Sequence, residues 1–299
     1  MALRFSIITP TFNRCDMLVD ALGSVACQEW PEIEHIVVDG GSTDGTLDLV
    51  AGHPELRLIN GPDEGVYDAL NKGIAAATGD VVCFLNSDDT FEPSALKAAA
   101  AGFAEDPSCD SVCGSARLVA GGKSIEVYDR DEDKRLISAR TALLGASIIN
   151  ARFFRKPALD KIGPFSLAYR VVSDRDLLMR AISLGLRTKP IAPLVYTYRR
   201  HHGSLSFSGE AAQRPPIWQE LLAVARYWAD DETIKASDRR IARGLEGRCL
   251  GRLIQRDLAE GRPRDAWRLL ARSGRGLPQN LTALAEGVRI AAYERAGIR

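Results

Sequence analysis

The chain predicts an α/β fold: a mostly parallel central sheet flanked by helices, followed by a helical C-terminal appendage. Three observations carry this. Strand and helix signals alternate through the first hundred residues. Val81-Val82-Cys83-Phe84-Leu85 is an unbroken apolar run, the pattern of a strand buried on both faces. From about Arg214 the spacing is helical almost to the end. Repeated β–α units imply parallel strands with helices on both faces. Ligands of such sheets sit beyond the C-terminal strand ends.

Each element has a local reason. Phe5-Ser6-Ile7-Ile8 reads as a first strand, ended by Pro10, which has no N–H to give a ladder. Residues 16–28 have helical spacing through Met17, Leu18, Ala21, Leu22 and Val25. His35 to Val38 is a second strand, followed by the turn Asp39-Gly40-Gly41-Ser42 and a helix from about Thr43 to Ala51. Leu56 to Ile59 is a third strand, and Val66 to Ala77 a helix closed by Gly79. Pro93 opens an alanine-rich helix, proline being well placed in a first turn. Strands with a hairpin at Gly121-Gly122 are expected over 110–128, and another strand within the apolar residues 141–155. Val172 to Leu184 reads as a helix and Val195 to Tyr198 as a strand. The helical tail breaks at Gly261-Arg262-Pro263 and again between Gly274 and Pro278, which predicts helical hairpins. The expected domains are therefore 1–209, the sheet domain, and 210–299, the appendage.

Composition narrows the function classes. Hydrophobic residues are 45% and charged residues 26%, a globular balance. Basic and acidic residues both number 39, which excludes a generic polyanion binder, so no nucleic-acid partner is expected. The balance hides an asymmetry: from Glu210 onward there is a surplus of five positive charges, offset by five negative ones before it. Such a tail can meet an anionic surface, and peripheral contact with the inner face of a membrane is one expectation. The opening residues lack a secretory pattern, and no apolar run spans a membrane. Six cysteines without CxxC pairs, mostly in apolar runs, read as reduced core residues of a cytoplasmic protein.

The common nucleotide fingerprints are missing. Asp39 to Gly45 is glycine-rich but lacks GxGxxG spacing and follows the second strand. Gly121-Gly122-Lys123-Ser124 would need glycine where Arg117 stands to be a phosphate-binding loop. No HExxH motif or zinc-type cysteine spacing is present.

Four segments are informative together: Ile7 to Arg14 (IITPTFNR), Val37 to Thr46 (VVDGGSTDGT), Pro62 to Gly73 (PDEGVYDALNKG) and Phe84 to Asp89 (FLNSDD). Their order and spacing resemble family 2 glycosyltransferases of the GT-A fold, the branch that makes bacterial surface polysaccharides and glycolipids. Ser173-Asp174-Arg175-Asp176-Leu177 resembles that family's Glu/Ala-Asp-x-Asp-Leu segment, and Tyr198 to Ser204 its late histidine motif. The resemblance covers roughly residues 3–208. The pair His-Gln that many relatives carry before the acceptor region falls here on Ile149-Asn150, so substrate identity does not transfer.

The resemblance implies roles residue by residue. Asp89 would be the ligand of Mg²⁺ or Mn²⁺ and Asp88 the ribose contact. Adjacent extended residues point to opposite sides, which suits that division; the alternative is an aspartate pair capping the helix near Pro93. Asp39 would accept the nucleobase N–H, with Thr9 and Pro10 lining the base pocket; alternatively it holds an Asx-turn at Gly40-Gly41. Asp63, Asn71 and Lys72 lie in the donor-side segment. Tyr67 and Asn71 share a helix face that meets either ligand or sheet, and Lys72 meets a phosphate or solvent. His201, selected over His202 by the spacing His-x-Gly-Ser, would ligate metal or diphosphate. Asp174 would be the catalytic base, with an N-cap as its alternative. Asp176 has Arg180 four residues on and is expected to form a helical ion pair.

The expected function is a metal-dependent, inverting glycosyltransferase moving a sugar from a nucleotide sugar, UDP-sugar favoured, to a polysaccharide or lipid-linked acceptor. A sugar nucleotidyltransferase would need glycines in the loop after the first strand, and Thr9 to Arg14 has none. A catalytically inactive scaffold is the other alternative, opposed by intact Asp88, Asp89 and Asp174.

Overall fold

The computed structural model describes residues 2–121, 123–127, 136–145, 148–201 and 217–271. The chain divides into two compact units, Met1–Arg214 and Pro215–Arg299.

In the first unit the strands are β1 (Phe5–Thr11), β2 (Ile33–Asp39), β3 (Arg57–Asn60), β4 (Val81–Phe84), β5 (Thr90–Phe91), β6 (Ser111–Ala120), β7 (Lys123–Val127), β8 (Arg152–Arg155) and β9 (Thr188–Arg200). The helices are α1 (Cys15–Ala26), α2 (Thr46–Ala51), α3 (Val66–Ala76), α4 (Ala95–Glu105), α5 (Ala139–Leu144), α6 (Lys156–Ile162) and α7 (Ser173–Ser183). One sheet orders the strands β3-β2-β1-β4-β8-β6-β9-β5, with β7 beside β6. The β3-β2-β1-β4 half is parallel. Beyond it β8 runs antiparallel to both β4 and β6, β9 is parallel to β6, and β5 is antiparallel to β9. The sheet is thus mixed, with its parallel order confined to one half.

The core follows from the pattern. All seven residues of β1 are buried, as are all four of β4. Leu18, Ala21, Leu22 and Val25, one stripe of α1, pack into a cluster with Phe5, Ile7, Val37 and Val81. The Phe5 ring meets Trp30 and Phe153 edge-on at 5.6 and 6.2 Å.

Three expectations are corrected. Pro10 does not end β1, which runs on to Thr11. The Ile8 carbonyl bonds Leu85 N–H on the β4 side. Pro10 faces the same way two residues later, past the end of β4, so its missing N–H costs no ladder bond. Residues 141–155 are not one strand. Ser138 and Thr141 form a capping box that starts α5, a 3-10 turn spans Ile149–Ala151, and only β8 is extended; an apolar run does not separate buried helix from buried strand. And β9 has 13 residues, its Pro190 and Pro193 accommodated by register shifts against β6 between Cys113 and Ala116. The expected hairpin is present as β6 and β7, with Gly121 at φ +55°.

The second unit contains α8 (Ile217–Asp230), α9 (Ala236–Ala259) and α10 (Pro263–Ala271). Trp228, Val224 and Ala225 of α8 and Leu245, Cys249 and Leu253 of α9 are buried. Glu246, nearly buried, accepts from Arg226 at 3.3 Å, and Arg252 lies over the Trp218 ring at 5.8 Å. The α9–α10 break falls at Gly261, whose φ is +69°. The break expected between Gly274 and Pro278 lies outside the described residues. Four cysteines are buried, but Cys27 is exposed rather than in the core.

Candidate active site

The C-terminal ends of the parallel strands carry the polar residues. Asp39 closes β2 and is fully buried. Its Oδ1 accepts from the N–H groups of Gly41 at 2.9 Å and Ser42 at 2.7 Å, and its Oδ2 from the Ser42 hydroxyl at 2.5 Å. The Asx-turn alternative is therefore realised, and Gly41 supplies the φ of +92° that the turn requires. Asn13 ties this loop to β1: its N–H donates to Ser42 Oγ at 2.7 Å and its Oδ1 accepts from Thr43 N–H at 2.8 Å.

Thr9 does not line an open pocket. It is fully buried, and its hydroxyl meets His35 Nε2 at 2.9 Å. Burial pushes the His35 imidazole down to about 4, so it is neutral in the fold. Pro10 is also buried within β1. Two residues beyond Thr9, on the same strand face, the buried Thr11 hydroxyl has no hydrogen-bond partner. It sits opposite Asp39 in register, a polar atom that sequence reading missed.

Asp63 stands against this loop. A Cβ on Gly40 would lie 2.6 Å from Asp63 Oδ2, so only glycine lets the two segments close up. Asp63 Oδ1 accepts from Gly65 N–H at 2.9 Å, just before α3. Asn71 and Lys72 face elsewhere. Asn71 donates to the Phe165 carbonyl at 2.9 Å and accepts from the Phe165 N–H at 2.7 Å, which occupies both ends of its amide. Lys72 donates to the Pro62 carbonyl at 2.7 Å and pairs with Asp68 at 2.9 Å. These contacts fix the start of α3 and the segment at Phe165. Tyr67 shares this face: its ring stacks on Phe165 and its hydroxyl donates to the Val171 carbonyl at 2.9 Å.

Asp88 and Asp89 lie in a turn after β4, not in extended chain, with Asp89 N–H donating to the Asn86 carbonyl at 3.1 Å. The turn still sends the two carboxylates to different surroundings. Asp89 is only 3% exposed. It accepts from Tyr196 Oη at 2.8 Å, Arg199 N–H at 2.8 Å and Asn86 Nδ2 at 3.1 Å. Strand β9 folds over it. Burial, reinforced by the neighbouring Asp88 charge, raises its carboxyl to about 7 against the pull of those three hydrogen bonds. Burial and the Asp89 charge in turn push the Tyr196 phenol well up. Asp88 is half-buried and meets His201 Nε2 at 2.8 Å. The Arg199 guanidinium donates to the Asp88 carbonyl at 2.7 Å and also pairs with Asp20, so it is committed to the turn. His202, Gly203 and Ser204 lie outside the described residues. Tyr196 and Arg199 lie too far along the chain from Asp89 for any local pattern to announce them.

Asp174 is half-buried in the first turn of α7, and its Oδ1 accepts from Arg175 N–H at 2.9 Å and from Tyr67 Oη at 3.3 Å. The N-cap position belongs to Val172, which makes no side-chain cap. Asp176 pairs with Arg180 at 3.0 Å, as its spacing predicts. Arg180 also donates to the carbonyls of Ile162 and Pro164.

Among the described residues no three His, Cys, Asp or Glu side chains form a ready metal cage. Mg²⁺ and Mn²⁺ do not need one when substrate phosphates supply oxygens. Asp88, paired with His201, and the adjacent Asp89 offer two carboxylates and an imidazole, and the Asp89 carboxyl is raised chiefly by burial and further by the Asp88 charge.

Carboxylates gathered at the C-terminal edge of a half-parallel α/β sheet, with a late strand folded back over the last pair, define a glycosyltransferase of the GT-A type. The chain belongs to Glycosyl transferase family 2, whose model matches residues 6–175. It is 36% identical over 211 residues to a PGL/p-HBAD biosynthesis glycosyltransferase of Mycobacterium bovis, covering 67% of this chain and 78% of that one. Its fold resembles S. aureus TarS in complex with UDP-GlcNAc at TM-score 0.64 and 22% identity, over 96% of this chain and 81% of that one. It also resembles the mannosyltransferase PcManGT from Pyrobaculum calidifontis in complex with GDP-Man and Mn²⁺ at TM-score 0.61 and 21% identity, over 100% and 84% of the two chains.

Proposed function

We propose that this glycosyltransferase takes its sugar from a nucleotide sugar, UDP-sugar favoured, and passes it with inversion to a hydroxyl of a polysaccharide or lipid-linked acceptor, with Mg²⁺ or Mn²⁺. The observation that carries the reading is the Tyr67–Asp174 contact, which ties the start of α7 to the start of α3. It supports a base at Asp174 next to the donor-side segment, since Tyr67 opens the helix that follows Asp63. The M. bovis relative acts in glycolipid biosynthesis by its name, and two solved neighbours hold nucleotide sugars. Asp39 and the Thr11 hydroxyl are the polar groups at the end of β1–β2 where a nucleobase would sit, and Asp63 flanks them. The resemblance gives Asn71 and Lys72 as donor contacts; their hydrogen bonds to Phe165 and Pro62 support a role in fixing that segment. Asp88, Asp89 and His201 would hold the metal, which supplies charge neutralisation for the departing diphosphate.

Asp174 accepts the proton of the acceptor hydroxyl while that hydroxyl's oxygen bonds the anomeric carbon. The bond from that carbon to phosphate breaks, and nucleoside diphosphate leaves with the electron pair. Asp176, held by Arg180, has a structural task. A panel of nucleotide sugars tested with and without chelator decides the donor and the metal. Asp174→Asn is expected to cut transfer by ~10² or more while donor affinity holds. Near wild-type transfer by that variant overturns the base. Asp176→Asn should mainly lower thermal stability. Formation of nucleotide sugar from triphosphate and sugar phosphate would favour a nucleotidyltransferase instead, and failure to turn over any donor an inactive scaffold.

The 210–299 appendage is proposed to be a separate helical domain that meets an anionic lipid surface. No helix among the described residues is long and apolar enough to cross a membrane. Trp267 of α10 is 71% exposed beside Arg264 and Arg268, an interfacial pairing of ring and cation. Co-sedimentation with anionic vesicles at low salt is expected, because charge attraction is strongest there; no binding under that condition removes the idea.

A further inference from the structure

We propose that Tyr67 is a positioning residue for Asp174, orienting the carboxylate through its hydroxyl without removing its basicity. The inference rests on the reading of Asp174 as the base. Its ground is the way the phenol is held and shared. The ring is fixed on one side by a stack on Phe165, centroids 5.1 Å apart and planes 29° apart. Phe165 is itself fixed at its backbone by the two Asn71 bonds, from the same helix one turn further on. The hydroxyl therefore arrives at a set place. There it faces two acceptors, the Val171 carbonyl at 2.9 Å and Asp174 Oδ1 at 3.3 Å.

One phenolic hydroxyl has one proton to give. The shorter bond goes to the backbone carbonyl, and the longer reaches the carboxylate. A full-strength donor would hold Asp174 in place but make it a poorer base, since hydrogen bonds to an ionised carboxylate favour that form. A shared donor limits that effect. It keeps the carboxylate oriented while Asp174 is ionised. When Asp174 takes the acceptor's proton, the Tyr67 hydroxyl keeps its bond to Val171, so this donor has an acceptor in either state. Arg175 N–H, also on Oδ1 at 2.9 Å, is the second fixed point. Two donors from different helices then fix where the carboxylate points, the kind of preorganisation that proton abstraction needs. This role also accounts for Asn71, whose amide serves the stacking partner of Tyr67.

Tyr67→Phe removes the hydroxyl and keeps the stack. Expected are a fall in kcat of about tenfold, an unchanged KM for the nucleotide sugar, and an acid limb of the kcat/KM profile moved to higher pH, because a carboxylate that loses a donor holds its proton more tightly. Fluorotyrosine at position 67 alone keeps ring, hydroxyl and fold but donates more strongly, and should move that limb to lower pH. In the Asp174→Asn background, Tyr67→Phe should add no further loss in kcat. A hydroxyl that serves only the Val171 backbone would lower the melting temperature and leave the acid limb in place for both variants; that result, with Asp174→Asn still inactive, overturns this inference alone. Full activity of Asp174→Asn overturns the base reading instead.

Discussion

The two halves of the sheet are assembled differently. In β3-β2-β1-β4 each strand pairs with a parallel neighbour reached by one helical crossover or by a β–α–β step across the first strand. In β8-β6-β9-β5 the partners come from distant parts of the chain, and Asp89 meets Tyr196 across 107 positions. The first half supplies loops that can surround a nucleotide. The second supplies the strand that closes over the last aspartate pair. A site of this kind needs both: Asp39 is held by its own turn, whereas Asp89 is held mainly by residues of β9.

The largest expected effect tests that division directly. Asp89→Ala leaves the Tyr196 hydroxyl, Arg199 N–H and Asn86 amide without their shared acceptor, and should cost about 3 kcal/mol of stability along with activity. Asp88→Ala loses only a half-exposed pairing with His201, so stability should fall by less than about 1 kcal/mol. Its metal-dependent turnover should nevertheless fall by ~10² or more, the scale of a lost charge contact at a transferring phosphate. Denaturant melts and donor turnover measured on both variants check this. Equal stability for the two would mean that β9 does not grip Asp89, and the contrast between the halves would fail.

The same contrast explains what was legible in the sequence. Short β–α units announce themselves by local spacing, so β1 to β4 and their helices could be read to within about three residues at each end, and the Asp176–Arg180 pair from its four-residue separation. The turn at Asp39 was legible as an alternative, since Asp-Gly-Gly-Ser carries its own acceptor and donors. The second half was not. The prolines of β9 hid its length, and the apolar run before β8 concealed a helix, a 3-10 turn and a short strand. The environments of Asp89 and Asn71 follow from chain segments brought together only by folding. Motif spacing located these residues without stating which way they face.

A second, pH-dependent effect belongs to the parallel half. His35 lies under the β1–β2 end, bonded to Thr9, and burial depresses it to about 4 from an ordinary value of 6.5. The folded imidazole stays neutral where the unfolded one takes up a proton. Stability from this group is therefore present above about 6.5 and lost as pH falls toward 4, by about 3 kcal/mol over that window. His35→Gln keeps a partner for Thr9 and cannot titrate. The stability difference between pH 7 and pH 4 should shrink by about that amount, read from denaturant midpoints at the two pH values. An unchanged difference would show that acid sensitivity arises elsewhere; Asp89 is not its source, because a carboxyl raised to about 7 in the fold gains stability as pH falls from 7 to 4.

The smallest expected effect concerns the fit of two loops within the parallel half. Gly40→Ala places a methyl 2.6 Å from Asp63 Oδ2 and 3.3 Å from the Phe12 ring. Gly40 itself, unlike Gly41, does not adopt a left-handed φ, so the substitution acts by contact and not by backbone strain. The Asp63 carboxylate is the far end of a short side chain and can swing, but swinging breaks its bond to Gly65 N–H ahead of α3. The change should raise the KM for the nucleotide sugar by roughly fivefold, equivalent to about 1 kcal/mol, with kcat nearly unchanged. Asp63→Ala should raise KM as well, and the double variant should be no worse than Asp63→Ala alone, because the methyl then has nothing to displace. Additive losses in the double variant would mean that Gly40 contributes to donor binding by itself, through close approach of its backbone to the ligand. A KM unmoved by either single change would assign the Gly40–Asp63 contact to loop packing, and leave Asp39 and Thr11 as the groups of this half that face the donor.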